Sequence, residues 1–112
     1  MPGANEKVFF GQHYRRNGMI GIYVEVNGAP LKEYQNVVDH SVGFEWGYDG
    51  SGPAQLALAF VMEVYGDEAL AKIVHQEVKR RIVSKLPERW WMVHESQVRE
   101  IVDEFVAKGR EA

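Results

Sequence analysis

The sequence contains no cysteine, which excludes disulfides, thiolate metal sites and a cysteine nucleophile. It has no Gly-x-x-x-x-Gly-Lys-Ser/Thr motif, and no Gly-x-Gly-x-x-Gly segment follows a βαβ pattern. The histidines show neither His-x-x-x-His nor His-Glu-x-x-His spacing, so we predict no metal site and no cofactor. No apolar run reaches the about 18 residues that cross a bilayer, and the N-terminus does not resemble a signal peptide. We therefore expect a cytoplasmic protein without a membrane partner.

What is present is an ordinary globular composition. The 112 residues are 46% hydrophobic and 26% charged, which is typical of one soluble domain. We place that domain at residues 7–109, with a disordered segment 1–6 and a frayed end 110–112. The 13 basic and 16 acidic side chains give a net charge of −3. Bulk charge therefore does not favour nucleic acid, although a local basic patch remains compatible with this balance.

The first third of the chain predicts an antiparallel meander. Residues 7–14 are rich in aromatic and β-branched side chains, and residues 19–26 alternate apolar and polar side chains, as strands do. Asn17-Gly18 and Asn27-Gly28 are strong hairpin signals. A third short strand is predicted at 29–33.

The segment 54–64 predicts a buried central helix. Its only strongly polar side chains are Gln55 and Glu63, so the helix is apolar on nearly all sides. Pro53 suits the first helical turn, and Gly66 suits the end of the helix. Upstream, the alternation of aromatic residues in 42–48 predicts a short strand with those rings on one side.

A glycine-rich turn, residues 47–55, leads into the central helix. Exposed N–H groups at a helix N-terminus attract anions, so this turn is a candidate site for a small ligand or nucleotide. The candidate ligand-binding residues are Tyr48, Gly50, Ser51, Gly52 and Gln55. Glycines also let a backbone turn tightly against a helix, and we favour that structural interpretation while keeping both open.

The same region carries a resemblance. Trp46-Gly-Tyr48 and Gly50-Ser-Gly-Pro-Ala-Gln-Leu-Ala-Leu-Ala59 resemble the signature of a family of short uncharacterised proteins from bacteria, archaea and their viruses, a domain of unknown function. Asp49 stands where that signature usually has glycine. The resemblance implies a shared fold and no assigned activity. Because it extends to viral proteins, an accessory protein of a virus or mobile element is part of our leading hypothesis.

Residues 68–86 predict a helix with an apolar stripe, ended by Pro87. Its basic side chains make it the candidate nucleic-acid surface, although a solvated helix face explains them without a partner and is the interpretation that we favour. The candidate contacts are Lys72, Lys79, Arg80 and Arg89. We expect His75 to be solvated on this helix.

Residues 89–93 predict a short strand in which Trp90 and Trp91 point to opposite faces. One of them is then exposed, and both are candidate interface residues. A last amphipathic helix is expected to begin at His94 or Ser96 and to end at Gly109.

These patterns predict an α+β fold, with a small antiparallel sheet packed on a buried central helix and two further helices. The leading hypothesis for function is a non-enzymatic binding or accessory module whose partner is another protein or a second copy. The alternatives are a nucleic-acid-binding protein that uses helix 68–86 and a ligand-binding protein that uses the turn 47–55. We predict no catalytic residues, because adjacent residues such as His40 and Ser41 rarely meet in triad geometry.

Overall fold

The helix Ser51–Tyr65 (α1) lies at the centre of the protein, and every residue from Gly52 to Val61 is buried. The computed structural model describes residues 6–111. Helix α1 ends at Gly66, whose left-handed backbone (φ 63°) lets its N–H donate to the carbonyl of Met62. The apolar segment 54–64 is thus confirmed as the buried central helix.

A four-stranded antiparallel sheet covers one side of α1. Its strands are β1 (Val8–Arg16), β2 (Met19–Val26), β3 (Ala29–Pro30) and β4 (Trp90–His94), in the spatial order β3-β2-β1-β4. The last strand in the sequence, β4, therefore pairs with the first, β1. With three helices the sheet gives an α+β fold, 45% helical and 23% strand, as the sequence predicts.

Both predicted hairpins are confirmed. Asn17 and Gly18 have φ angles of 53° and 78°, and Asn27 and Gly28 have φ angles of 48° and 85°. Positive φ at both central residues is typical of the two-residue turn whose twist matches that of the strands. Strand β3 is shorter than the predicted 29–33.

The sheet has one covered and one open face. On the inner face the ring of Phe9 lies 4.5 Å from that of Phe60 in α1. The outer face, by contrast, is not covered by a described helix, because the other two helices pack on α1. The strand alternation places Phe10, Gln12, Tyr14, Arg16, Met19, Gly21, Tyr23, Glu25, Trp90, Met92 and His94 on this outer face.

The two remaining helices are α2 (Glu68–Arg81) and α3 (Glu95–Glu111). The predicted helix 68–86 is too long, because α2 ends at Arg81 and a 3-10 turn, Val83–Lys85, follows. The carbonyl of Val83 accepts a hydrogen bond from Gly47, which ties this turn to the preceding loop. Helix α3 continues past its predicted end at Gly109. No helix among residues 6–111 is both long and apolar enough to cross a membrane.

The capping of α3 follows one of the two predicted arrangements. The N–H of His94 donates to the side-chain oxygen of Gln97 at 2.8 Å, as in a capping box. The predicted disordered segment 1–6 lies outside the described residues except for Glu6, whose carbonyl accepts a hydrogen bond from Asn27.

The predicted strand at 42–48 is wrong, since this segment has no regular structure. Gly43 and Gly47 both have a φ angle of 85°, which interrupts an extended backbone. As a result Trp46 is buried in the core, whereas Tyr48 is 52% exposed.

Gly11 gives a direct test of packing between sheet and core. A Cβ built on Gly11 would lie 2.3 Å from Cζ2 of the buried Trp91 ring, so an alanine cannot fit without moving that ring. We expect Gly11→Ala to lower the free energy of unfolding by about 1–3 kcal/mol, measured by urea denaturation. Gly109→Ala, in a helix with open space around it, is the matched control and should raise it by about 0.5 kcal/mol. Equal stability of the Gly11→Ala variant and the wild type would contradict this packing.

Candidate functional site

The glycine-rich turn is folded tightly against itself. A Cβ on Gly52 would lie 2.6 Å from Cβ of Glu45, and a Cβ on Gly50 would lie 2.5 Å from the ring of Tyr48. Both glycines therefore allow close approaches that other residues would prevent. Ser51 is exposed at the start of α1. Three surface cavities, one beside Arg89, one beside Trp90 and one bordered by β2 and the loop at Gly43, are all lined by residues outside 47–55.

Gln55 is fully buried and uses its whole amide group within the protein. Its oxygen accepts hydrogen bonds from the N–H groups of His40 (2.8 Å) and Ser41 (3.3 Å). Its nitrogen donates to the carbonyls of Glu33 (2.6 Å) and Val38 (3.0 Å). These two donated and two accepted bonds use the full hydrogen-bonding capacity of the amide group. Gln55 therefore holds the segment 33–41 on α1 and has no free group for a ligand.

His75 is buried, with 4% of its surface exposed, so the expectation that it is solvated is wrong. Its Nδ1 lies 2.8 Å from the carbonyl of Ala71, so Nδ1 carries the proton and Nε2 is an acceptor. The Nε2 atom of His40 donates to it at 2.9 Å. The loop held by Gln55 thus covers the side of α2 that was expected to face water. Burial lowers the pKa of His75.

The groups that a triad at His40-Ser41 would require are engaged elsewhere. His40 donates to His75, and the hydroxyl of Ser41 donates to the carbonyl of Val42. The carboxylate of Glu45 instead bonds Nε2 of His13 at 2.9 Å. The ring of His13 stacks on Trp46 with centroids 4.5 Å apart. No sequence pattern predicts the pair of His13 and Glu45, because 32 positions separate the two residues. No group of three or more His, Asp or Glu residues suited to a metal occurs in the described part of the chain.

The basic run of α2 is largely neutralised by ion pairs. Lys79 contacts Asp49 at 2.6 Å, and Arg80 contacts Glu77 at the same distance. Of the predicted nucleic-acid residues, Lys72, Lys79 and Arg80 lie on α2, whereas Arg89 lies beside β4. The end of α2 and the turn Val83–Lys85 therefore separate Arg89 from the other three along the chain.

Besides Lys72, which is exposed and in no ion pair among the described residues, unpaired positive charge lies at the end of the β1–β2 hairpin. Arg15, Arg16 and Arg89 are exposed, and none of them is within ion-pair distance of a carboxylate in the described residues. Arg15 and Arg89 border a cavity of about 530 Å³. Its other lining residues are His13, Tyr14, Ile20 and Glu88. Neither Arg15 nor Arg16 is among the predicted nucleic-acid contacts, because both directly precede the Asn17-Gly18 hairpin signal.

Of the two candidate interface tryptophans, one reaches the surface. Trp90 is 61% exposed on the outer face, whereas Trp91 is 3% exposed and packs against Phe60 and Trp46. The prediction that they point to opposite faces is confirmed. Beside Trp90 opens a cavity of about 710 Å³ with mainly apolar walls, whose lining includes Leu86, Pro87 and Met92.

The backbone of β4 leaves one edge of the sheet unpaired. His13 N–H donates to the carbonyl of Arg89, and Glu95 N–H donates to that of Lys7, so the odd-numbered residues of β4 bond to β1. In an antiparallel pair the alternate residues point their N–H and C=O groups the other way. For Trp90 and Met92 these groups face the open edge, and none of them has a backbone partner among residues 6–111.

On the outer face, four aromatic side chains surround Gln12. Phe10 and Tyr14 precede and follow it on the same side of β1, and Tyr23 and Trp90 lie opposite it on β2 and β4. Tyr14 and Trp90 are exposed, and Phe10 and Tyr23 are half-buried. The four rings thus form one partly exposed group, whose members come from three strands, of which β4 is distant from the other two in the sequence.

Replacing Gln55 by glutamate tests the role of its amide. Gln55→Glu keeps the shape but removes both donors, which leaves two carbonyls facing a buried carboxylate. We expect the free energy of unfolding to fall by about 3 kcal/mol or more at neutral pH, measured by urea denaturation. Gln76→Glu, on the partly exposed face of α2, is the control and should change stability little. A stable Gln55→Glu variant would contradict a structural role for Gln55.

The burial of His75 makes stability depend on pH. Since the pKa of folded His75 lies below its usual value of 6.5, the unfolded chain binds the proton more readily. The free energy of unfolding should therefore be steady above that value and fall as the pH drops from about 6.5 through the folded-state pKa. Urea denaturation between about pH 7 and about pH 5.5 measures this. His75→Gln, which cannot titrate, should show a smaller fall, and an identical fall in both proteins would refute the assignment.

Comparison with known proteins gives a family and no activity. The profile of a family of unknown function (DUF6166) matches residues 11–104, which include most of the sheet, α1, α2 and much of α3. No curated protein and no solved structure matches the chain. The match covers far more than half of the sequence and includes most of the outer face, Gln55 and the free edge of β4. The protein therefore belongs to the family of unknown function DUF6166.

Proposed function

We propose that the protein is a non-enzymatic binding module that joins a second copy of itself through the free edge of β4. The observation that carries this proposal is the set of unpaired backbone N–H and C=O groups at Trp90 and Met92. A row of such groups is a template for pairing with another strand.

The composition of β4 supports pairing rather than protection. Natural proteins usually blunt an exposed edge with lysine, proline or a bulge. The strand Trp90–His94 has no proline and no lysine, arginine or acidic residue, and its register with β1 is continuous. The cavity of about 710 Å³ beside this edge leaves room for an incoming strand.

The edge is also complementary to itself, which favours a second copy over an unrelated peptide. An antiparallel two-fold pairing centred on Trp91 would place Trp90 opposite Met92 of the second copy, and the reverse. Each such pair exchanges two N–H···O bonds. On the outer face each indole would then meet a methionine sulfur, a contact worth about 0.3–1.5 kcal/mol. No charged side chains would be brought together within β4.

The other hypotheses have less support. The ion pairs of Lys79 and Arg80 weaken the case for nucleic acid on α2. The close packing of Gly50 and Gly52 favours a structural role for the turn 47–55. An accessory role in a virus or mobile element rests on the resemblance of the turn motif alone, and we keep it as part of the proposal.

Proline at position 92 tests the edge pairing. The N–H of Met92 faces the open edge, so Met92→Pro should leave the β1–β4 pairing intact while removing half of the bonds between the copies. We expect the dimer dissociation constant to rise about ten-fold or more, measured by sedimentation equilibrium. Met92→Ala keeps the N–H and is the matched control, with a smaller effect. Circular dichroism of each variant shows whether the fold is retained.

Two outcomes would reject the proposal. One is a wild-type protein that stays monomeric at the highest soluble concentration. The other is a dimer that forms equally well with Met92→Pro, since its contact would then lie elsewhere. In both cases β4 would not be the site of self-association.

A further inference from the structure

We infer that the outer face of the sheet binds single-stranded nucleic acid, with bases stacked on the aromatic side chains around Gln12 and phosphates on the arginines of the hairpin end. This inference does not depend on the proposed self-association, because it rests on a face of the sheet rather than on an edge.

The spacing of the rings suits a row of bases. Residues two apart in a strand are about 7 Å apart, and neighbouring strands are about 4.8 Å apart. Tyr14 therefore lies about 7 Å along β1 from Gln12, and Trp90 lies directly across from Gln12 on β4. Exposed rings on a flat sheet face offer π-surfaces to bases of any sequence.

Gln12 adds hydrogen-bonding capacity at the centre of these rings. Its amide makes no side-chain hydrogen bond to any described residue, in contrast to Gln55, which uses every donor and acceptor. An amide with a free donor and a free acceptor can bond the edge of an unpaired base. The edges and faces of bases are concealed in a duplex, so this arrangement favours a single strand.

The charges of this surface favour a polyanion over an apolar protein segment. Arg16 lies on the outer face, whereas Arg15 and Arg89 take inner-face positions, opposite Ile20 and His13, at the same end of the sheet. None of the three has an ion-pair partner in the described structure. The nearby carboxylates are Glu25, which accepts a hydrogen bond from Tyr23 at the far end, Glu88 in the cavity of about 530 Å³, and Glu45, which bonds His13 of that cavity. The three arginines therefore outnumber the carboxylates at the hairpin end, although the chain carries a net charge of −3.

The test is fluorescence anisotropy with labelled oligothymidine and oligouridine at low salt, so that DNA and RNA are compared directly. Wild-type protein should bind a single strand more tightly than a duplex of the same length, and the affinity should fall as salt rises. Tyr14→Ala should weaken binding about 5- to 100-fold, whereas Tyr14→Phe, which keeps the ring, should bind like the wild type. Arg16→Ala should also reduce the slope of log affinity against log salt by about 0.7.

Two control variants separate this inference from the other hypotheses. The double variant Lys79→Ala, Arg80→Ala removes the paired charges of α2 and should retain binding. Met92→Pro should also retain binding, because the outer face near Tyr14 does not require a second copy. The self-association proposal can thus be rejected while binding of single-stranded nucleic acid is confirmed, and the reverse.

The inference is overturned by the absence of salt-dependent binding to both oligonucleotides, by binding of Tyr14→Ala equal to that of the wild type, or by loss of binding in the α2 double variant alone. Tighter binding to the duplex than to the single strand would also reject it, since stacked and paired bases cannot use the rings.

Discussion

The buried amide of Gln55 is the interaction on which the rest of the molecule depends. The residues from Gly52 to Val61 are enclosed, and Gln55 is the one amide side chain among them. A buried donor or acceptor without a partner costs about 1–3 kcal/mol, so the irregular chain at 33–41 must lie where it can satisfy this group. That constraint sets the position of His40, and through His40 the contact with His75 on α2. An apolar helix with one polar side chain thus organises a segment that has no regular structure of its own.

The packing around α1 also explains why the sheet is one-sided. Helices α2 and α3 pack on α1, so the inner face of the sheet is covered once and the outer face is left without a described helix. An antiparallel sheet tolerates this arrangement when its solvent face is polar. Here that face carries Phe10, Tyr14, Tyr23 and Trp90 instead, and exposed groups of this kind mark interaction surfaces in soluble proteins. The outer face, which we propose as a binding surface, is therefore left open because both other helices pack on α1.

The local parts of the fold could be predicted from the sequence, because their causes are local. Asn-Gly pairs reach positive φ angles without strain, and they placed both hairpins. The apolar circumference of segment 54–64 placed the central helix. The prediction of a strand at 42–48 was wrong because periodicity does not reveal that Gly43 and Gly47 break an extended backbone. The prediction that His75 is solvated was wrong because a loop more than 30 positions earlier in the chain covers it.

The candidate surface was harder to predict from the sequence than the fold, because it also depends on contacts between distant segments. A basic run such as residues 79–81 is conspicuous in a sequence, but its partners Asp49 and Glu104 come from distant segments. Asp49 occupies the position where the turn signature usually has glycine, so the departure from the motif contributes one of these neutralising carboxylates. Conversely, Arg15 and Arg16 look like turn residues until β4 pairs with β1 and brings Arg89 beside them.

The edge and the outer face of the sheet meet at Trp90, and this shared residue determines how the two surfaces relate. Strand pairing uses the backbone of Trp90, whereas stacking uses its ring, and in a sheet these lie at right angles to each other. Adding a strand to β4 would therefore extend the outer face instead of covering it. Two copies joined in this way would present their arginine-bearing hairpins at opposite ends of one continuous face, because the two-fold axis passes through the junction. A single-stranded nucleic acid long enough to contact both ends would bind a dimer more tightly than a monomer without any new type of contact. Its second binding event would be intramolecular.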